Sequence, residues 1–363
     1  MHPLQLNTAC EGPLALNDHG FELCRDFVQP DGVRFWQQVS RYEGYLTEVV
    51  KKPGCQAGEA LKLILPFLKA HGLTNQQISD HSRKNLMLVP GAAGAYKFLH
   101  TQSFPIFAIS AGYRQFAEAL GQRLGFSPSH ILATELDLDR YSLAPAEKEE
   151  LLRLQQEIAA APEIVLPPEA ASPEDVPPAV QEAIKVCDRI FGERLPEMDL
   201  GVIYREVNPR GGPDKARALE ESLQSTGLKM SEVIYVGDSR TDVQALAAVQ
   251  AGGGLGISFN GDQEAVQAAA VSIIADNAWP VALMASVFLL WGQEGVMELA
   301  TKGSAGASRY LVLPEAVIDI LMQGLQGRNF NLYSASTRNP EETAKESMAM
   351  RARLRGAAVA AQG

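Results

Sequence analysis

Four short apolar runs constrain this chain most: Leu4–Thr8, Phe104–Ser110 (FPIFAIS), Val233–Val236 (VIYV) and Leu255–Ser258 (LGIS). Each has the length of a buried strand and each is followed by a helical pattern. Strands alternating with helices lead to an α/β domain built on a parallel sheet. His130–Thr134 and Val271–Ile274 add candidate edge strands.

Two segments interrupt the alternation. Residues 21–87 read as mostly helical: RFWQQVSRYEGYLTEVV puts Phe35, Val39, Tyr42 and Leu46 at helical spacing, and EALKLILPFLKAHG closes on a glycine stop. Residues 136–198 form a second insertion, with the helix AEKEELLRLQQEIAAA, a proline-rich stretch that cannot be regular throughout, and the helix AVQEAIKVCDRIF. The expected division is an α/β core over 1–20, 88–135 and 199–298, a helical cap over 21–87, and a helical, proline-rich insertion over 136–198. A helical extension over 299–363 ends in an Ala/Arg-rich tail. The second insertion is read as either a further cap element or an oligomerisation arm, so a homo-oligomer stays open.

Composition narrows the function. The 363 residues are 46% hydrophobic and carry a formal net charge of −11, from 43 acidic and 32 basic side chains. So acidic a chain has no general attraction for nucleic acid or anionic membrane, and an anionic substrate needs a local cluster or a metal. The N-terminal residues carry no Lys or Arg before Arg25 and no apolar run of signal-peptide type. The most apolar run, Trp279–Trp291, is shorter than the ~18 residues of a spanning helix and reads as a buried helix. Cys10, Cys24, Cys55 and Cys187 show no CxxC spacing and read as free thiols. A cytoplasmic protein is expected.

The chemistry concentrates at strand ends. In VIYVGDSRTDV an apolar strand ends on Asp238, with Asp242 just beyond. Ligands of open α/β sheets gather outside the carboxyl ends of the strands. Two carboxylates there need a positive group between them, and Mg²⁺ with its oxygen ligands is the natural one; the plainer reading is a helix cap at Asp238 or Ser239. FPIFAISAGY ends in Ser110, followed by the small Ala111 and Gly112. A hydroxyl with free amides at a helix start suits a phosphoryl oxygen, although a simple N-cap is the better reading of that motif alone. In GGPDKARALE, Lys215 opens a helix where the macrodipole disfavours a cation, which suggests that it points at an anion.

Together, in this order, these motifs resemble the haloacid dehalogenase superfamily, on its phosphatase side. The stretch EGPLALND is similar to a largely archaeal and anaerobe-associated branch whose first motif reads Asp-x-Glu-Gly-Pro. The resemblance implies a Rossmann-like three-layer core with a parallel sheet. It also implies an aspartyl-phosphate route for a small phosphomonoester, with Mg²⁺ as cofactor. Carried over position by position, Glu11 takes the acid–base role and Ser110 and Lys215 stabilise the phosphoryl oxygens. Cys10 and Ala111 contribute turn amides, and Glu11, Asp238 and Asp242 surround the metal.

The resemblance fails at one position: the nucleophile aligns on Ala9. A methyl can neither attack phosphorus nor bind Mg²⁺. Cys10 should face away from the site by strand alternation, and none of the four cysteines has an Arg six residues on. Asp18 lies beyond the turn. Either the chain has lost its nucleophile and become a binding or regulatory module, or it carries a deliberate Asp→Ala change. The retention of Glu11, Ser110, Lys215, Asp238 and Asp242 favours the second. The expected function is therefore an Mg²⁺-dependent phosphatase silenced at position 9. The rivals are a natural non-catalytic binder of a phosphorylated ligand and a phosphotransferase or mutase.

Overall fold

The computed structural model describes residues 2–167, 170–302 and 314–356; the Ala-rich tail and the middle of the proline-rich stretch lie outside them. A seven-stranded sheet has the order β3-β2-β1-β4-β5-β6-β7. The strands are β1 (Gln5–Ala9), β2 (Ile106–Tyr113), β3 (Ile131–Thr134), β4 (Val233–Gly237), β5 (Leu255–Phe259), β6 (Val271–Ala275) and β7 (Phe330–Ser334). All neighbours are parallel except β6 and β7, which run antiparallel.

The four runs picked out as strands are strands because both faces of the sheet are covered, so nearly every residue can be apolar. One face packs Leu6, Ala108, Ile234, Val236 and Ile257 against the helices Ala92–His100, Arg114–Leu124 and Trp279–Lys302. The other packs Ile109, Val233 and Tyr235 against the helices Pro213–Thr226 and Val243–Ala251. This is the three-layer α/β architecture that the alternation predicts. The Trp279–Lys302 helix is long and apolar enough to cross a membrane, but it is broken at Gly292 (φ 64°) and buries Val281 to Leu289 within the core.

The two insertions are not separate bodies. Val39 and Tyr42 of the first share one apolar cluster with Leu151, Leu154, Ile184 and Phe191 of the second. Polar contacts follow the same line: Gln38 Nε2 donates to the carbonyls of Ala161 (3.2 Å) and Pro162 (2.7 Å), and Tyr42 Oη donates to Asp188 at 2.6 Å. Each insertion has helices with one apolar face, and each covers the other. The loop after β4 fastens this cap to the sheet, where Arg240 pairs with Glu43 at 3.0 Å and Glu48 at 2.5 Å.

Candidate active site

The parallel arrangement brings the carboxyl ends of β1, β2 and β4 together under the cap. A cavity of about 100 Å³ lies there, lined by Cys10, Glu11, Asp18, Ser110, Ala111, Lys215, Asp238, Thr241, Arg351 and Arg355 from the sheet side. Trp36, Ser40, Glu43 and Leu61 close it from the cap. That is room for several waters, well below the roughly 300–1,000 Å³ of sites for drug-sized ligands.

Ala9 ends β1 and is buried; it pairs with Ile109 and shares the side of β1 that carries Gln5 and Asn7. Cys10 turns into the apolar cluster with Leu6 and Leu14 while also bordering the cavity. Burial pushes its thiol up to about 12, only partly offset by the Ser110 hydroxyl beside it, so it stays a neutral thiol at pH 7. Gly12 then turns the chain at φ +89°, and a Cβ there would lie 2.1 Å from Asp238 Oδ2. Only glycine lets the first turn pass so close to that carboxylate.

Glu11 is buried and its Oε1 accepts the amide of His19 at 2.5 Å. Burial, with Asp18 nearby, raises its pKa to about 8, so near neutrality it is mostly a protonated acid that can donate. Asp18 caps the helix His19–Phe27 by accepting the Phe21 amide at 2.9 Å. Burial raises its pKa too, against the pull of Arg355.

Ser110 does not stand at a helix start. β2 continues through Tyr113, with a register irregularity against β3 between Ser110 and Tyr113. The Gly112 amide folds back to donate to Ser110 Oγ at 3.1 Å. The hydroxyl proton is then free for the Cys10 sulfur or for an anion in the cavity.

Lys215 lies in the first turn of Pro213–Thr226 and is 3% exposed. Its Nζ donates to Asp242 Oδ1 at 2.6 Å and to Thr241 Oγ1 at 2.9 Å, so two of its three hydrogens are committed. Asp242 is saturated: Oδ1 also accepts Tyr235 Oη at 2.7 Å, and Oδ2 accepts the amides of Asp238 and Ser239, both at 3.2 Å. It orients the lysine and has no open oxygen to offer a metal.

Asp238 is engaged by groups from far along the sequence. Arg351, on the helix Pro340–Arg355, donates from Nη1 to the Asp238 carbonyl at 2.9 Å and to its Oδ2 at 2.6 Å. Arg355 Nη1 stands 3.5 Å from the same Oδ2, while its Nε and Nη2 donate to the carbonyls of Leu16 and Asn17. Ser347 docks this helix by donating to the Gly261 carbonyl at 2.7 Å. Burial raises the pKa of Asp238, partly offset by Arg351. Motif reading missed both arginines. The one available signal was their spacing of four within MRARLR, which places them on a single helix face.

The donor set does not fit the Mg²⁺ that the motifs suggest. Ala9 supplies no carboxylate, Asp242 is fully bonded, and a guanidinium already lies against Asp238 Oδ2. Among the described residues no three acidic, histidine or cysteine side chains converge to hold a metal ion.

No protein-family model matches the chain, and no curated protein matches it. A solved structure, that of gene product AF1437 from Archaeoglobus fulgidus, is similar at 26% identity over 98% of both chains, with a TM-score of 0.77. Coverage that complete takes in the cap insertions as well as the sheet. The fold is shared. A substrate-bound phosphoserine phosphatase matches at 12% identity over 75% of this chain and 93% of its own, TM-score 0.43. A family hydrolase from Salmonella enterica serovar Typhi matches at 10% identity over 72% and 64%, TM-score 0.42. Likeness that loose adds nothing to what the strand order itself shows.

Proposed function

We propose that this is a protein of the haloacid dehalogenase phosphatase type that holds a small phosphorylated ligand and does not hydrolyse it. The observation that carries the reading is Ala9. It ends β1 directly before Cys10 and Glu11 of the cavity wall, and the resemblance aligns the oxygen nucleophile with this methyl-bearing position.

The remaining groups support holding. The Ser110 hydroxyl can turn from the Cys10 sulfur to an anion, and Lys215 has one uncommitted hydrogen and a position fixed by Asp242. Glu11, largely protonated, can donate to an oxyanion instead of repelling it. Charge-assisted bonds of this kind are the strong ones in a site shielded from water. An acid such as Glu11 would help a leaving group depart only after attack at phosphorus, and position 9 supplies no attacking carboxylate.

The test is a melting-temperature and phosphate-release screen over inorganic phosphate and a panel of small phosphate esters. Stabilisation without release is expected, through the linkage of binding to folding. Lys215→Ala should abolish the shift, whereas Lys52→Ala, on the exposed cap surface, should leave it. Steady release of phosphate, or no shift with any member of the panel, overturns the reading.

A further inference from the structure

We infer that Arg351 is the resident cation of this site, standing against Asp238 in the position a divalent metal would need, so that the site binds phosphoryl anions without metal. The inference rests on the phosphate-holding function proposed above.

Three observations carry it. First, the contact is direct and dry: Arg351 is 2% exposed and Asp238 3% exposed, with Nη1 bonded to both the carboxylate and the carbonyl of one residue. Second, the charge does not end in that pair. Arg355 is a second cation on the same carboxylate, and both guanidinium groups also act on Asp18 at the same cavity wall, so the cationic side of the cavity is built from side chains. Third, Arg351 keeps unused capacity. It lines the cavity, and its buried Nε has no hydrogen-bond partner. A buried donor left unmatched costs free energy until something accepts from it. A phosphate oxyanion is one of the groups that a guanidinium fork matches bidentately.

A metal and a guanidinium differ in what they ask of the protein. Mg²⁺ needs at least one or two carboxylates with open oxygens, completed by waters and substrate phosphate. An arginine is charged at every working pH and is built into the chain. Losing a carboxylate at position 9 weakens a metal site but suits a site whose cation is a side chain, because less negative charge then lies beneath the anion.

Calorimetric titration of inorganic phosphate into the full chain decides it, once in EDTA and once in millimolar Mg²⁺. Equal affinity in the two buffers is expected. Arg351→Gln should weaken binding at least tenfold in EDTA, about 1.4 kcal/mol. Asp238→Asn leaves the arginine in place and removes the negative charge that competes for it, so it should bind phosphate as tightly as the parent or more tightly. A metal site would instead lose binding in that variant, which keeps the test decisive even if Arg351→Gln folds poorly. Binding that appears only with Mg²⁺, and is lost in Asp238→Asn, overturns the inference and leaves the phosphate-holding function standing. Absence of binding in both buffers removes both.

Discussion

Asp242 Oδ1 receives two donors in a closed pocket, Lys215 Nζ at 2.6 Å and Tyr235 Oη at 2.7 Å. The carboxylate lies on one side of the lysine and the cavity on the other, so the ammonium is held in place before any ligand arrives. Asp242→Ala would leave a buried lysine without its counter-charge. Breaking a buried pair in this way costs about 3–5 kcal/mol. A loss of that size in denaturant unfolding is expected, together with loss of the phosphate-dependent melting shift. An Asp242→Ala variant that keeps the shift would separate Lys215 from the ligand.

Position 9 and Arg351 should be coupled. Ala9→Asp alone restores an oxygen nucleophile, but Arg351 still sits on Asp238. No phosphate release is expected from it. With Arg351→Ala added, Asp238 loses its hydrogen-bonded guanidinium and keeps only Arg355 at 3.5 Å, so a pair of carboxylates can share a divalent ion and slow Mg²⁺-dependent release is expected. Release assays on the two variants with and without EDTA check this; full activity in the single variant would contradict it.

Gly12 should tolerate no side chain. Its φ of +89° disfavours L-residues, and a Cβ would lie 2.1 Å from Asp238 Oδ2. Backbone strain of about 1–2 kcal/mol and overpacking of about 1–3 kcal/mol should add. Gly12→Ala is expected to lower stability by about 2–5 kcal/mol in a urea melt and to displace Asp238 from Arg351.

Stability should fall as pH rises from 6.5 to 8. Burial raises Glu11 to about 8, and Glu22 and Asp262 to about 7, from ordinary values of 4.5, 4.5 and 3.8. A carboxyl raised in this way favours the folded state fully below its unfolded pKa and stops doing so as pH passes the folded one. His19 acts oppositely: burial lowers it from 6.5 to about 3, so it disfavours folding only below 6.5. Above 6.5 the carboxyls are unopposed, and the loss should be on the order of 2–3 kcal/mol. Urea midpoints across this range measure it, and Glu22→Gln should flatten the curve in part.

The sheet was legible in the sequence where both faces are covered, because such strands are apolar at almost every position. β7 was not: Phe330–Ser334 is an antiparallel edge strand with only Leu332 and Ser334 buried, too short an alternation to stand out in the sequence. Ser110, Lys215, Asp238 and Asp242 could be found because each follows its own strand or turn within a few residues. Their partners could not. That Asp242 serves the lysine depends on which of its oxygens the Asp238 and Ser239 amides occupy, a matter of ångströms. Arg351 lies 113 residues from Asp238, and only the packed position of its helix reveals the contact. The cap was likewise seen as two insertions, since nothing within either one states that its apolar face is covered by the other.

The order of synthesis gives the docked Pro340–Arg355 helix a further meaning. Chains emerge from the ribosome amino end first, at about 5–20 residues per second. β1, β2 and β4, with Glu11, Ser110 and Asp238, can therefore assemble before Arg351 and Arg355 exist. Until then the nascent protein carries Asp238 without its guanidinium partners. The last helix to arrive supplies both arginines of Asp238, so a molecule cut short before residue 340 should fold with that buried carboxylate unpaired.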